Sequence, residues 1–410
     1  MTMMSDLPHD LLEEILSRVP LTCLSTVRST CKTWNNLSKE QILCNAKERQ
    51  QFMGFIRKDN RVCSLRFNLQ GILQGEEFVD SSIKPVCNFI YQVKISKIVN
   101  CDGLLLCITS VNTEIRVWNP YLGQMRWIKP IKADMTGVKY ALGYDDNKNR
   151  NHKILRALYD YFYRGKSIIR YEIYDFKSNS WRVLDILPDW DIKFHGHGVS
   201  LKGNTYFVTS GRKKWTNPAV SEDFLFCFDF TKERFGPHLP LPFYYDVSDI
   251  VGLSSVKEEQ LAVLYVSFNT FVIEIWTTTK IEPNVVSWIP FLKVDNSDLK
   301  SKIDVRSLFI DQEKKLAVVF KSRGYKSRKN KAYVFGENGY MKKVGLREAV
   351  GALPYCRPRW CSYVPSLVQI NQSSNVVQQE RRRLFMCLLN RLPFILLLGF
   401  LLLFCRFLLM

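Results

Sequence analysis

A β-rich unit that returns about every fifty residues constrains this chain more than any other feature. CDGLLLCIT leads into IRVWNPYLGQMRWI, and ALGYDDNKNRNHKILRAL into YEIYDFKSNSWRVL. HGVSLKGNTYFVTS leads into LFCFDFTKERFGPHLPLP, VGLSSVKEEQLAVLYV into VIEIWTTTKIEPNVVSWI, and SLFIDQEKKLAVVFKS into KAYVFGENGYMKKV. Each unit reads as a hairpin-like pair, a strand that ends at an aromatic residue or an Asp/Asn turn, and a further strand. The anchors Trp118, Tyr174, Phe228, Trp276 and Phe335 are 56, 54, 48 and 59 residues apart. That period suits four-stranded propeller blades, which bury their faces only by stacking into a closed ring. FMGFI…VCSLRFNL, ahead of residue 70, supplies another blade, so the expectation is an all-β propeller of six or seven blades. An aromatic content of 13% agrees with pleated, packed faces. Asn119-Pro120, Lys177-Ser178-Asn179 and Gly203-Asn204 are expected where strands reverse. Trp127, Trp181 and Trp288 are expected to pack between blades.

The first forty-five residues follow another rule. Leu11, Leu12, Ile15, Leu16 and Val19 repeat at helical spacing, with Pro8 suited to a first turn and Asp10, Glu13 and Glu14 near the positive end of the helix dipole. Pro20 ends that helix. Leu21, Leu24, Val27, Cys31, Trp34 and Leu37 form a second stripe, with Arg28 and Lys32 on its polar side. Helices this short cannot close a core alone, so their apolar faces are shared with the next domain or with another protein.

The string LPHDLLEEILSRVPLTCLSTVRSTCKTWNNL resembles an F-box from end to end. The resemblance implies a module of three short helices that binds a Skp-type adaptor and, through it, cullin and RING subunits. By position it implies adaptor contacts at Leu7, Pro8, Leu11, Leu12, Ile15, Leu16, Val19 and Pro20. Leu24, Val27, Cys31 and Trp34 would build the module's core and the remaining contact. Further along, NCDGLLLC, VWNPYLGQMRWI, ALGYD, YEIYDFKSNSWRVL and HGVSLKGNTYF resemble the plant F-box-associated interaction domain, related in style to kelch repeats. The two resemblances cover residues 1–370. They imply the substrate-recognition subunit of an SCF-type ubiquitin ligase that is not itself an enzyme, with an unknown protein target on the repeat domain. The alternatives are a propeller enzyme using a central channel and a scaffold acting outside the ligase.

The formal net charge of +19 sits mostly in the middle of the chain. KSRGYKSRKNKAY and SGRKKWTN are its sharpest clusters, readable as solvated loops or as a contact for an acidic target. No nucleic-acid-reading module occurs, so no nucleic acid is expected. The twelve cysteines lie largely in apolar runs, such as Cys107 and Cys227, the usage of free thiols in a reducing compartment. MTMMSDLPHD lacks the bases and apolar run of a signal peptide, which points to cytoplasm or nucleus. His195-Gly196-His197 lacks a third ligand, Cys356 and Cys361 lack a second pair, and Asp145-Asp146-Asn147-Lys148-Asn149 reads as a polar hairpin loop. No metal, cofactor or catalytic residue is therefore assigned.

The domain expectation is an F-box at 1–45, a propeller at 46–371, a polar and basic linker at 372–383 and a hydrophobic tail at 384–410. Leu392–Cys405 carries no charge, and the run to Met410 approaches the roughly twenty residues that span a bilayer. Arg406 and Pro393 oppose a hydrophobic helix there, and Arg381, Arg382 and Arg383 would hold the preceding side in the cytosol. A membrane anchor through 384–410 is one reading of the tail.

Overall fold

The computed structural model describes residues 8, 11–12, 15–16, 19, 27–28, 30 and 32–38 of the N-terminal stretch. Beyond it, the described residues are 51–58, 61–68, 83–85, 94–109, 114–131, 138–147, 150–160, 168–186, 190–194, 198–213, 222–244, 249–267, 269–270, 272–295, 305–321, 331–345 and 359–370. The tail at 384–410 lies outside them, as do the linker, His195-Gly196-His197 and Cys356. No helix among the described residues is long and apolar enough to cross a membrane.

The described strands form six antiparallel sheets, the blades of a propeller. Blade 1 holds β1 (Gln51–Lys58), β2 (Arg61–Asn68) and β3 (Ile83–Pro85). Blade 2 holds β4 (Ile95–Cys101), β5 (Leu104–Thr109), β6 (Ile115–Asn119) and β7 (Gln124–Ile128). Blade 3 holds β8 (Lys139–Tyr144), β9 (His152–Asp160), β10 (Ile168–Asp175) and β11 (Ser180–Leu184). Blade 4 holds β12 (Trp190–Phe194), β13 (Val199–Leu201), β14 (Asn204–Lys213), β15 (Glu222–Asp229) and β16 (Arg234–Leu239). Its β12 and β13 pair with successive parts of β14, as one interrupted inner strand. Blade 5 holds β17 (Ile250–Val256), β18 (Gln260–Val266), β19 (Val272–Glu282) and β20 (Val285–Asp295). Blade 6 holds β21 (Val305–Asp311), β22 (Leu316–Lys321), β23 (Lys331–Phe335) and β24 (Met341–Gly345).

The last strand, β25 (Arg359–Ser362), returns to blade 1 and pairs with β1, from Gly54 opposite Ser362 to Arg57 opposite Arg359. Both ends of the propeller sequence thus build one blade, and that closes the ring. All five aromatic anchors fall on the third strand of blades 2 to 6.

Strand pleating explains the continuous apolar runs. Leu104, Leu106 and Ile108 of β5 face blade 3, while Leu105 and Cys107 face blade 1. On β15, Phe224, Phe226 and Phe228 meet blade 3, and Leu225 and Cys227 meet blade 5. Successive side chains point to opposite faces, and here both faces are interior. Cys107 and Cys227 are fully buried free thiols. Burial pushes each thiol up to about 12, so both stay protonated at neutral pH and are poor nucleophiles.

The recurrent turns share one device. Asn119 Oδ1 accepts the Tyr121 and Leu122 amides at 2.9 and 3.0 Å. Asp175 does the same for Lys177 and Ser178 at 2.8 and 2.9 Å, and Asp229 for Thr231 and Lys232 at 2.9 Å each. These side chains cap the turn between third and fourth strands in place of backbone acceptors. The glycine of ALGYD has a different cause: a Cβ on Gly143 would collide with the Phe230 ring and the Gly203 carbonyl of blade 4. Asp145 and Asn151 bracket the β8–β9 turn, with the Asn151 amide donating to Asp145 Oδ1 at 2.9 Å; Lys148 and Asn149 of the expected polar loop lie outside the described residues.

Trp181 and Trp288 join neighbouring blades. Each donates its indole N–H to a carbonyl one residue beyond the preceding blade's outer strand, Lys129 at 2.8 Å and Pro240 at 2.9 Å. Trp127 has a partner in its own blade, the Arg116 guanidinium, 3.6 Å from the ring centre.

Candidate functional site

The described N-terminal residues are helical at 11–12, 15–16, 27–28 and 32–38. The Leu12 amide donates to the Pro8 carbonyl at 3.1 Å, so Pro8 stands at the helix start where its missing N–H costs nothing. Leu12 and Leu16 are 3% and 1% exposed and form a small core with Leu37, against which Val27 and Trp34 pack. Leu11 points the other way, 46% exposed; Pro8 is exposed and Ile15 half-buried. Of the residues with expected adaptor contacts, the structure therefore presents Pro8 and Leu11 outward. It places Leu12, Leu16, Val27 and Trp34 within the module. Leu7, Pro20, Leu24 and Cys31 lie outside the described residues.

Val19, expected as an adaptor contact, does not join the small core. It packs on the propeller, against the cluster that includes Phe55, Val62, Trp118, Tyr121 and Tyr363. Arg28, expected on a polar face, is half-buried at the same place. Its Nε donates to Ser38 Oγ at 2.8 Å and one Nη to the Ser38 carbonyl at 3.2 Å; the other Nη donates to the Tyr121 carbonyl. The guanidinium carbon lies 4.1 Å from the centre of the Tyr121 ring, and the Tyr121 hydroxyl donates to the Ser38 carbonyl. Burial lowers the Arg28 pKa below its ordinary value, with the Tyr121 contacts acting in the opposite direction. Sequence reasoning missed this cluster because Arg28 and Tyr121 are 93 residues apart and neither belongs to a pattern that announces the other.

Tyr121 lies on the turn between β6 and β7, which marks the helical module's end of the propeller. The same end carries the turns between first and second strands. There Asp102 meets Arg150 and His152 at 3.2 Å, the Tyr144 amide meets the Gly203 carbonyl at 3.0 Å, and Lys257 meets Glu313 at 2.9 Å. The centre is pinched here. Asn100 of blade 2 donates to the Ser362 carbonyl of blade 1 at 2.9 Å and reaches Glu258 of the opposite blade 5 at 3.5 Å; Ser255 and Ser362 are 3.1 Å apart. Because strands alternate in direction, the links from second to third strands leave at the other end. The basic clusters in KSRGYKSRKNKAY and SGRKKWTN belong to such links; apart from the strand residues at their ends, they lie outside the described residues. Among the described residues no group of three His, Cys, Asp or Glu side chains is placed to hold a metal.

Comparison with known proteins matches this architecture at both ends. An F-box domain model matches residues 4–45, and an F-box associated beta propeller domain model matches residues 53–370. The F-box/kelch-repeat protein At3g13680 of Arabidopsis thaliana is 50% identical over 391 residues, covering 90% of this chain and 97% of the relative. The Arabidopsis F-box protein At3g19880 is 51% identical over 399 residues, covering 93% and 97%. The Arabidopsis F-box protein At3g49510 is 49% identical over 388 residues, covering 90% and 100%. The helical module, the six-bladed ring and these matches along nearly the whole chain together make it a member of the F-box proteins that carry an F-box associated beta propeller domain.

Proposed function

We propose that the chain is the substrate-recognition subunit of an SCF-type ubiquitin ligase, with residues 1–45 binding a Skp-type adaptor and residues 46–371 holding a protein target. Through the adaptor it would join cullin and RING subunits. Its own contribution is proximity: it brings a target lysine near the ubiquitin carrier and catalyses no step itself. The observation that carries the reading is the outward Leu11 and Pro8, with Ile15 half-buried, on an F-box whose described Leu12, Leu16, Val19, Val27, Trp34 and Leu37 pack inside the module or against the propeller. The target-binding end would be the one opposite the F-box, where β14, β22 and β23 end on Arg212, Lys213, Lys321 and Lys331, a basic composition that suits an acidic segment of the target. The pinched centre speaks against the rival reading of a channel enzyme entered from the F-box end.

Adaptor binding by purified chain is the test. Leu11→Ala with Ile15→Ala is expected to abolish capture by calorimetry or pull-down while the fold survives, because Leu11 is exposed, Ile15 is half-buried and neither belongs to the small core. Leu16→Ala is the contrasting variant: it opens a cavity in the small core and is expected to cost about 2–5 kcal/mol of module stability. Unchanged adaptor binding by the double variant would refute the assignment.

A further inference from the structure

We propose that Arg28, Ser38 and Tyr121 form a latch that fixes the F-box in one orientation on the propeller, so that Arg28 and Tyr121 are positioning residues for the ligase. The inference rests on the proposed adaptor role of the F-box and adds to it. Adaptor binding requires only the outward face; the latch uses the other side of the module and sets where the target end of the propeller points.

The geometry is that of a built joint. Arg28 has a bond from each of its three nitrogens, two to Ser38 and one to Tyr121, and lies over the Tyr121 ring. A partly desolvated guanidinium keeps its charge at small cost only when its donors are paired. Tyr121 and Ser38 are both fully buried, and the Ser38 carbonyl accepts from both Arg28 and Tyr121. The arginine belongs to the module and the tyrosine to the propeller, so each bond between them ties the two together. Val19 adds an apolar contact beside it.

The propeller side of the latch is itself clamped. Asn119 caps the Tyr121 turn with its Oδ1 and donates from Nδ2 to the carbonyls of Ser366 and Val368 at 3.1 and 2.8 Å. Ser366 Oγ donates to the Asp102 carbonyl at 2.7 Å, and the Ile370 amide to Gln124 Oε1 at 2.9 Å. The segment after the ring-closing strand therefore crosses blade 2 directly behind Tyr121. The latch sits where the ring is locked, so the F-box is seated on one of the most tightly tied parts of the propeller.

A fixed seat determines the distance between a bound target and the ubiquitin carrier, because adaptor and target engage opposite ends of one rigid body. A module joined to the propeller by the chain alone, without the latch, would spread that distance over many values.

Two variants of the full chain test the latch: Arg28→Ala, and Tyr121→Phe, which leaves the F-box sequence untouched. Each is compared with the unsubstituted chain, free and in complex with a Skp-type adaptor. Adaptor affinity is expected to be unchanged, while small-angle scattering of the complex shows a larger maximum dimension and a broader distance distribution, more so for Arg28→Ala. Amide exchange at residues 33–37 of the free chain is expected to rise about tenfold in Tyr121→Phe, the effect of one lost hydrogen bond on a local opening equilibrium. Scattering curves that superimpose on the unsubstituted complex, with unchanged exchange, overturn the latch. An unsubstituted complex that already scatters as two independently moving bodies overturns it as well. Failure of the unsubstituted chain to bind the adaptor overturns the proposed function instead, and the exchange measurement on the free chain still decides the latch.

Discussion

Glu233 illustrates how single residues stitch the blades. It occupies the turn between β15 and β16 of blade 4, yet its partners are in blade 3: Lys153 at 3.0 Å and Arg182. Burial raises its pKa, but hydrogen bonds from Arg182 and Lys153 and their charges outweigh that and hold the carboxyl below the ordinary glutamate value of 4.5. The proton therefore binds the folded chain less readily than the unfolded one. The pair's stabilisation is fully present above 4.5 and is lost as pH falls through the lower folded value. The Glu233→Gln variant is expected to have a lower urea midpoint than the unsubstituted chain at neutral pH, and the two midpoints are expected to converge well below the ordinary glutamate value. A gap that persists undiminished in acid would show that Glu233 stabilises through packing, not charge.

At the scale of strands and turns, much was legible because the physics is local. A strand interior on both faces reads as a continuous apolar run, so LLLCIT and FLFCFD stand out, and the Asx caps at Asn119, Asp175 and Asp229 mark where the chain reverses. The blade count was harder, because blade 1 takes its inner strand from RWCS near residue 360, more than three hundred residues from its partner Gly54. No local repeat contains that pairing. Arg28 was misplaced on a polar face for a similar reason: helical spacing states which residues share a side, and the partner on the far domain decides whether that side is wet. Two of the three outer-strand tryptophans, Trp181 and Trp288, were legible as inter-blade residues, and in them the mechanism is a single N–H reaching across the seam; Trp127 instead stacks on Arg116 of its own blade. Trp288→Phe keeps most of the ring but removes that donor and leaves the Pro240 carbonyl without it. The expected cost is about 1 kcal/mol in denaturant unfolding. Trp127→Phe loses no inter-blade bond among the described residues and weakens the stack on Arg116 instead, so its effect is expected inside blade 2, as faster amide exchange on β6 and β7.

For the whole molecule, closure is the event on which the other contacts depend. Each blade buries one face on each neighbour, so an open ring leaves two unpaired faces and an unpaired edge on β1. The closing strand is only four residues long, too short to hold by its backbone bonds alone. Its strength comes from the residues immediately after it: Tyr363 and Ile370 are 4% and 6% exposed, Tyr363 joins the core between blades 1 and 2, and Ile370 joins the core between blades 2 and 3. Gly103 shows how closely this segment lies, since a Cβ there would collide with Ser366. A chain ending at residue 371 is expected to unfold in one cooperative transition at the temperature of the full chain. A chain ending at residue 358 loses β25, the clamp behind Tyr121 and two core side chains together. It is expected to melt earlier and more broadly, to expose the edge of β1 to aggregation, and to show faster exchange in the F-box as well as in blade 1. Scanning calorimetry and amide exchange on the two truncations read this directly. Loss confined to blade 1, with F-box exchange unaltered, would mean that ring closure and F-box seating are independent, whereas the shared residues Asn119 and Tyr121 require them to fail together.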